Sequence, residues 1–407
     1  MQAPEGAWPS GAQCSTGDLS KPMAQLGEAI ARYHKLLEQP GYRDLSWAEE
    51  LQEQMRQRGL TDSGRLVSPV LRPQFISRRQ LEMLTRSAEH LAAILDQIEA
   101  LALSSPDLLN RLHMLPAEKM LAAIPAGYSR FTVTTRMDAH LENGSVCLRG
   151  LDTCRPRGLA YAEILSELFL DLPIVKAFKR GRYKLSKVGG GAKRLHTAVL
   201  QAWKEFGGSH RPNIAIVEFG DGSGSGSSEG MLLAELFAEN GSPARVVSPE
   251  QLQYKDSRLR AGDFEIDVVF RRLLTRELLA HFDLSHPLLM AYRERAVCVV
   301  NNFRSELGQR RALFDLVTDD AVISRLATQD RKLIRHVVPW TRVVAPKKTR
   351  YKDRDIDLPE FILRAREELI LRPNEDSDGQ RVFVGAEMTP SAWQHALRIA
   401  LRAPYVV

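Results

Sequence analysis

Apolar residues recur every three to four positions from Met23 to Leu37, the spacing that lays a single stripe along a helix. Ser46 followed by Glu49 forms a capping-box pattern, so a second helix is predicted to open there. A longer amphipathic helix is expected over about residues 78–103, and the first ~115 residues therefore read as helical. At Ser129 the period shortens to two. Phe131, Val133 and Thr135 alternate with polar neighbours, and Asn143-Gly144 ahead of Val146 and Leu148 is a two-residue hairpin signal, predicting a hairpin over 129–149.

A helix is expected over 159–170, after which the pattern becomes alternating α/β. The unbroken apolar run from Asn213 to Phe219 suits a strand buried on both faces, and residues 229–239 read as the helix after it. Between them lies a glycine- and serine-rich loop, Gly220 to Ser228. Strand, glycine loop and helix in that order present backbone amides to a phosphate. The spacing is neither GxGxxG nor GxxxxGK[ST], however, and a flexible connector is the plainer reading. Further strands are predicted at 244–247, 264–270, 296–300 and 369–372, with helices at 273–280, 309–317 and 392–402. No repeat of fixed period is present.

A chain of 407 residues usually divides into two or three domains, and 44% hydrophobic with 26% charged residues excludes global disorder. No stretch approaches the ~20 apolar residues that span a bilayer, and the N-terminus lacks a basic start followed by an apolar core, so a cytoplasmic location is expected. The cysteines Cys14, Cys147, Cys154 and Cys298 form no metal knuckle, and in a reducing compartment they read as idle thiols. The histidines show no HxH or HExxH spacing, and no GxSxG elbow occurs. The net charge of +6 is modest, but its distribution is not: Lys176 to Arg194 carries eight basic residues and no acidic one. Such a segment attracts a nucleotide, a phosphorylated substrate or RNA, or is simply a solvated loop. Only Phe178 and Tyr183 interleave with its charges, so platforms for base stacking are scarce and nucleic acid is a weak candidate.

Six strings stand in sequence from Asp267 onward: DVVFRR from Asp267, HPLLMAY from His286, AVCVVNNFRS from Ala296, RALFDL from Arg311, VPWTR from Val338 and EELILRPN from Glu367. In order and spacing they resemble the landmarks of circularly permuted ATP-grasp ligases of the glutathionylspermidine synthetase type, over residue ~110 to the end. After a disordered leader (1–20) and a helical N-terminal region (21–115) read from the pattern, the resemblance implies an α/β fold with α+β lobes: a pre-ATP-grasp α/β domain (116–290) and an incomplete ATP-grasp domain (291–407). It also implies ATP and magnesium as cofactors, and small carboxylate and amine substrates joined through an acyl phosphate. The family's Arg-x-Asp motif matches Arg136 and Asp138, a phosphate-binding catalytic arginine and a metal ligand. Its Glu-x-Asn on the following strand is replaced by Gly150 and Asp152, which removes one oxygen ligand and leaves Asp152 as the second metal candidate. Two phosphate-gripping lysines become Arg311 and Arg372, keeping the charge but exchanging an ammonium for a planar fork. The glycine-rich loop over the phosphates becomes Asn374 to Arg381, where Asn374 and the single glycine, Gly379, are the remaining candidates for nucleotide contact among three acids. A ligase and a catalytically degenerate binding or scaffold protein on the same fold are both compatible with these alterations.

Overall fold

The predicted N-terminal helices form as Ser20–Leu37, Ser46–Gln57 and Arg78–Ser104 in a computed structural model that describes residues 20–62, 64–142, 145–180, 183–220, 227–375 and 381–407. The expected leader, residues 1–20, lies almost entirely outside them. The capping box expected at Ser46 does not form. The preceding residue, Leu45, takes a left-handed conformation as the cap, and the Ser46 hydroxyl donates to Asp44 Oδ2 at 3.1 Å. A box does form at Ser77 with Gln80, where it satisfies the first amides of the long helix Arg78–Ser104.

The centre of the molecule is a four-stranded parallel sheet in the order Cys298–Val300, Val268–Arg271, Ile214–Val217, Ala244–Val247. Every residue of Ile214–Val217 is buried, as a strand covered on both faces requires. One face packs on Leu288, Leu289 and Phe303, the other on Leu195, Val199 and Phe237. The predicted strand over 264–270 is two strands in different sheets: Phe264–Ile266 closes a three-stranded meander, and Val268–Arg271 enters the central sheet. Separate apolar clusters hold the N-terminal helices against residues 161–178, the long helix against the hairpin and residues 307–343, and the C-terminal segment 344–407.

The hairpin pairs Arg136–Glu142 with Ser145–Asp152, so its first strand begins seven residues later than the alternation from Ser129 predicts. Residues Val133 and Thr134 instead donate their amides to Asn301 Oδ1, at 2.8 and 3.1 Å, and a strand partner is not available to them. The helix expected over 309–317 is interrupted: Glu306–Gln309 and Leu313–Val317 are separate, with Arg310 to Ala312 between them. The connection Asn143-Gly144 lies outside the described residues.

One buried ion pair anchors these parts. Arg271, at the end of its strand, donates to Glu306 Oε1 at 2.8 Å and to the carbonyls of Asn301, Asn302 and Leu273, with both ionic side chains almost fully buried. Burial pushes the Glu306 carboxyl up, but Arg271 and Arg310 outweigh it and hold it below the ordinary carboxylate range. Arg271→Met alone leaves Glu306 buried without its partner and is expected to cost about 3–5 kcal/mol in chemical denaturation, whereas the double variant Arg271→Met, Glu306→Leu recovers a large part of that loss.

Glu99 on the long helix is buried against Gly308 and Thr153, and burial, then the nearby Asp96, raise its carboxyl well above the ordinary range. The folded state therefore keeps a proton that the unfolded state releases, so stability falls as pH rises above the unfolded carboxylate value. Glu99→Gln removes this slope: its advantage over the parent in urea denaturation is expected to grow between about pH 5 and about pH 8, and an advantage independent of pH contradicts the assignment.

Candidate functional site

The hairpin register sets the first part of the site. Arg136 pairs across from Asp152, and Asp138 across from Gly150, so these positions share one face. The Arg136 guanidinium donates to both oxygens of Asp138, at 3.0 and 3.3 Å, and its third nitrogen lies 3.9 Å from Asp152 Oδ2. Asp152 is buried, and its other oxygen accepts the Arg155 amide at 3.0 Å. A bulge between Asp138 and Ala139 shifts the register by one residue, and without it Gly150 and Asp152 would lie on the opposite face.

The second part comes from the break between the helices Glu306–Gln309 and Leu313–Val317. Asn374 makes that break: its carbonyl accepts the Arg311 amide at 2.9 Å, its side-chain oxygen accepts the Ala312 amide at 2.8 Å, and its side-chain nitrogen donates to Leu112 O at 2.9 Å. Asn374 is thus a buried brace, with its side chain turned to the protein. Arg311 donates to Pro373 O at 2.8 Å, and Arg372, on the strand Ile370–Pro373, donates to Arg149 O at 2.9 Å. That last bond ties the C-terminal sheet to the hairpin.

Together these elements enclose a cavity of about 70 Å³, several times what one water needs. Arg136, Asp138, Asp152, Arg311 and Arg372 all line it, with Arg310 and Gly150. Gly379 lies outside the described residues, as do Asp376 and Asp378. Sequence reasoning missed Arg310, whose side chain is buried and paired with Glu118 at 2.5 Å and with Glu375, which also contacts Arg276. Burial raises the Glu118 carboxyl, and Arg310 partly offsets that rise. No local signal separates Arg310 from its neighbour Arg311; both line the cavity, and only the fold buries Arg310 while leaving Arg311 partly exposed.

A second cavity, of about 260 Å³, opens where the parallel strands end. The strand Ile214–Val217 has its successor Ala244–Val247 on one side and the later Val268–Arg271 on the other, so the chain changes direction across this point. Crevices beyond the carboxyl ends of strands at such a reversal are common ligand sites. Arg272 joins Glu218 and Glu229, each at 3.0 Å, and Arg155 holds Glu277 at 2.8 Å, so charges of both signs face the opening. The glycine-rich loop leads from this edge, and residues 221–226 of it lie outside the described residues. Its end is met by Glu218, which accepts the Ser227 amide at 2.5 Å, while Ser227 caps the helix Ser228–Glu239.

In the basic segment, Lys176 lies 3.5 Å from Asp171 and Lys187 2.6 Å from Glu167. Phe178 is fully buried and stacks between Phe75 and Tyr183, so it belongs to the N-terminal core and offers no face to a base. Among the described residues no helix is long and apolar enough to cross a membrane. The described cysteines, Cys147, Cys154 and Cys298, are buried thiols without a disulfide.

The architecture is therefore a mixed α/β protein with a central parallel sheet and an arginine-lined cavity where a hairpin meets a C-terminal sheet. No family model matches the chain, and no curated protein matches it. Among solved structures it is similar to a glutathione synthetase-like effector from Globodera pallida in its apo form, at 14% identity and a TM-score of 0.57, over 91% of this chain and 82% of that one. The fold is glutathione synthetase-like; at this identity the likeness extends to the fold alone.

The two assignments of Asn374, brace or ligand contact, separate experimentally. Asn374→Ala is expected to lose about 2–3 kcal/mol of stability through its unmade buried hydrogen bonds. A variant that keeps full stability in thermal unfolding contradicts the bracing role.

Proposed function

We propose that this protein binds a phosphate-bearing ligand of the ATP type, with the arginine-lined cavity taking one anionic group, on a ligase-like fold whose catalytic set is reduced. The observation that carries this reading is the convergence of Arg136, Arg311 and Arg372, from three separate segments, on one small cavity. A guanidinium presents a planar fork of donors that matches phosphate and carboxylate oxygens in pairs, and bonds of this charged kind are the strong ones. The cavity admits a single group, so the remainder of such a ligand extends outward from it.

The magnesium implied by the family resemblance is poorly served by this donor set. Among the described residues no group of three or more His, Cys, Asp or Glu side chains is placed to hold a metal ion. The position across from Asp138 is a glycine, and both aspartates already face the same guanidinium. No step of a reaction is therefore routed through a metal here.

A second reading, an ATP-dependent carboxylate–amine ligase, is favoured by the second cavity. Its mixture of Arg155, Arg272, Glu218 and Glu277 suits a molecule carrying both an amine and a carboxylate, such as an amino acid or short peptide. In that chemistry the carboxylate would take the terminal phosphoryl group of ATP, with ADP leaving, and the amine would then displace inorganic phosphate from the acyl phosphate to form the amide, while Arg136 would stabilise developing negative charge. Steady release of inorganic phosphate that needs both ATP and an amine–carboxylate pair would establish this reading over simple binding.

Calorimetric titration with ATP and with pyrophosphate tests the primary reading. Arg311→Met and Arg372→Met are each expected to weaken binding by about tenfold or more, the loss of a charged hydrogen bond, measured at a temperature where unfolding curves show each variant folded, since both arginines also brace backbone carbonyls. Parent protein that binds neither compound removes the proposal.

A further inference from the structure

The two aspartates that the hairpin places at the cavity are already engaged by the chain itself. Arg136 satisfies both oxygens of Asp138, and Asp152 divides its oxygens between Arg136, at 3.9 Å, and the Arg155 amide, at 3.0 Å. Gly150, opposite Asp138, contributes no oxygen. A magnesium ion needs near-octahedral oxygen ligation and holds its waters tightly, so two aspartates must be supplemented by ligand oxygens. Here it would also have to displace the guanidinium that bridges them and sit against Arg310, Arg311 and Arg372 in the same wall.

An anion meets the opposite situation. Arg310 lines the cavity, and its buried Nε has no hydrogen-bond partner among the described residues, even though the ends of the guanidinium pair with Glu118 and Glu375. A buried donor left unmade is costly, and an acceptor oxygen arriving in the cavity lowers that cost. Arg136 adds a positive charge between the two carboxylates, at the place where a divalent cation would otherwise neutralise them.

We infer that the cavity takes its anionic group without a divalent cation, the Arg136 fork occupying the position and the electrostatic role of the metal. This rests on the anion-binding reading above and deepens it. It also assigns Gly150 a meaning: with no carboxylate across from Asp138, the Arg136 fork alone neutralises the aspartate pair. A side chain at this position has room, because an added Cβ would find only Asp138 Oδ2, at an ordinary 3.6 Å.

The test is titration of the full chain with inorganic pyrophosphate in EDTA and again in excess magnesium. The parent is expected to bind equally in both buffers, within about threefold. Gly150→Glu restores the carboxylate opposite Asp138; it is expected to bind about tenfold or more weakly in EDTA and to regain affinity when magnesium is added. Gly150→Gln, of the same size without the charge, should behave as the parent and reports whether the fold tolerates a side chain there. Binding by the parent only with magnesium overturns the inference while leaving the anion site standing. Absence of binding in both buffers removes the anion site itself. A Gly150→Glu protein that binds like the parent in EDTA also overturns the inference, because the position then does not face the bound group.

Discussion

The buried pair Arg271–Glu306 is the contact on which the remaining organisation depends. Arg271 terminates a strand of the central sheet, and its guanidinium gathers the carbonyls of Leu273, Asn301 and Asn302, the Ser305 hydroxyl and the Glu306 carboxylate. Glu306 in turn accepts the amide and hydroxyl of Thr275, at 2.9 and 2.6 Å. A charge this deep is tolerated only because every direction around it offers an acceptor, and that requirement fixes the path of residues 301–306.

From that path the site follows. Asn301 accepts the amides of Val133 and Thr134 and donates to Thr134 O and Thr153 O, which holds the base of the hairpin against the central sheet. The short helix that Glu306 begins ends at Gln309, whose side-chain oxygen accepts the Thr153 amide at 3.0 Å, beside Asp152. Arg310 and Arg311 come next in the chain. One guanidinium in the sheet thus positions, through two short relays, both the aspartate face of the hairpin and the arginines across from it. Association of polar groups in this way supplies a unique geometry, where an apolar contact would permit several.

The C-terminal sheet closes the arrangement through Arg372 and Asn374. Both act on backbone groups of earlier segments: Arg372 on Arg149 O, 223 residues away in sequence, and Asn374 on Leu112 and on the amides that follow Arg310. Lysine in place of Arg372 would carry the same charge, but only a planar fork holds several acceptors in fixed directions. The same property that braces the fold therefore also equips the cavity for an anion.

Local physics made much of this legible in the sequence. The buried strand Ile214–Val217 declares itself because a strand covered on both faces has no polar positions, and the hairpin because Val146 and Leu148 alternate after a turn signal; the bulge between Asp138 and Ala139, which no pattern announced, is what brings Gly150 and Asp152 to the face of Arg136 and Asp138. The alternation from Ser129 misled because period two records only that a segment is extended; Asn301, not a neighbouring strand, pairs with Val133 and Thr134. The helix over 309–317 was overcounted for the same reason: periodicity shows the apolar face but not the Asn374 side chain that breaks it. Tertiary structure alone decided that Arg310 is buried and joins Arg311 and Arg372 in lining the cavity, and that Glu218 and Arg272 meet at a second opening. Those outcomes depend on contacts between segments far apart in the chain, and short-range patterning carries no record of distances that only the packed core sets.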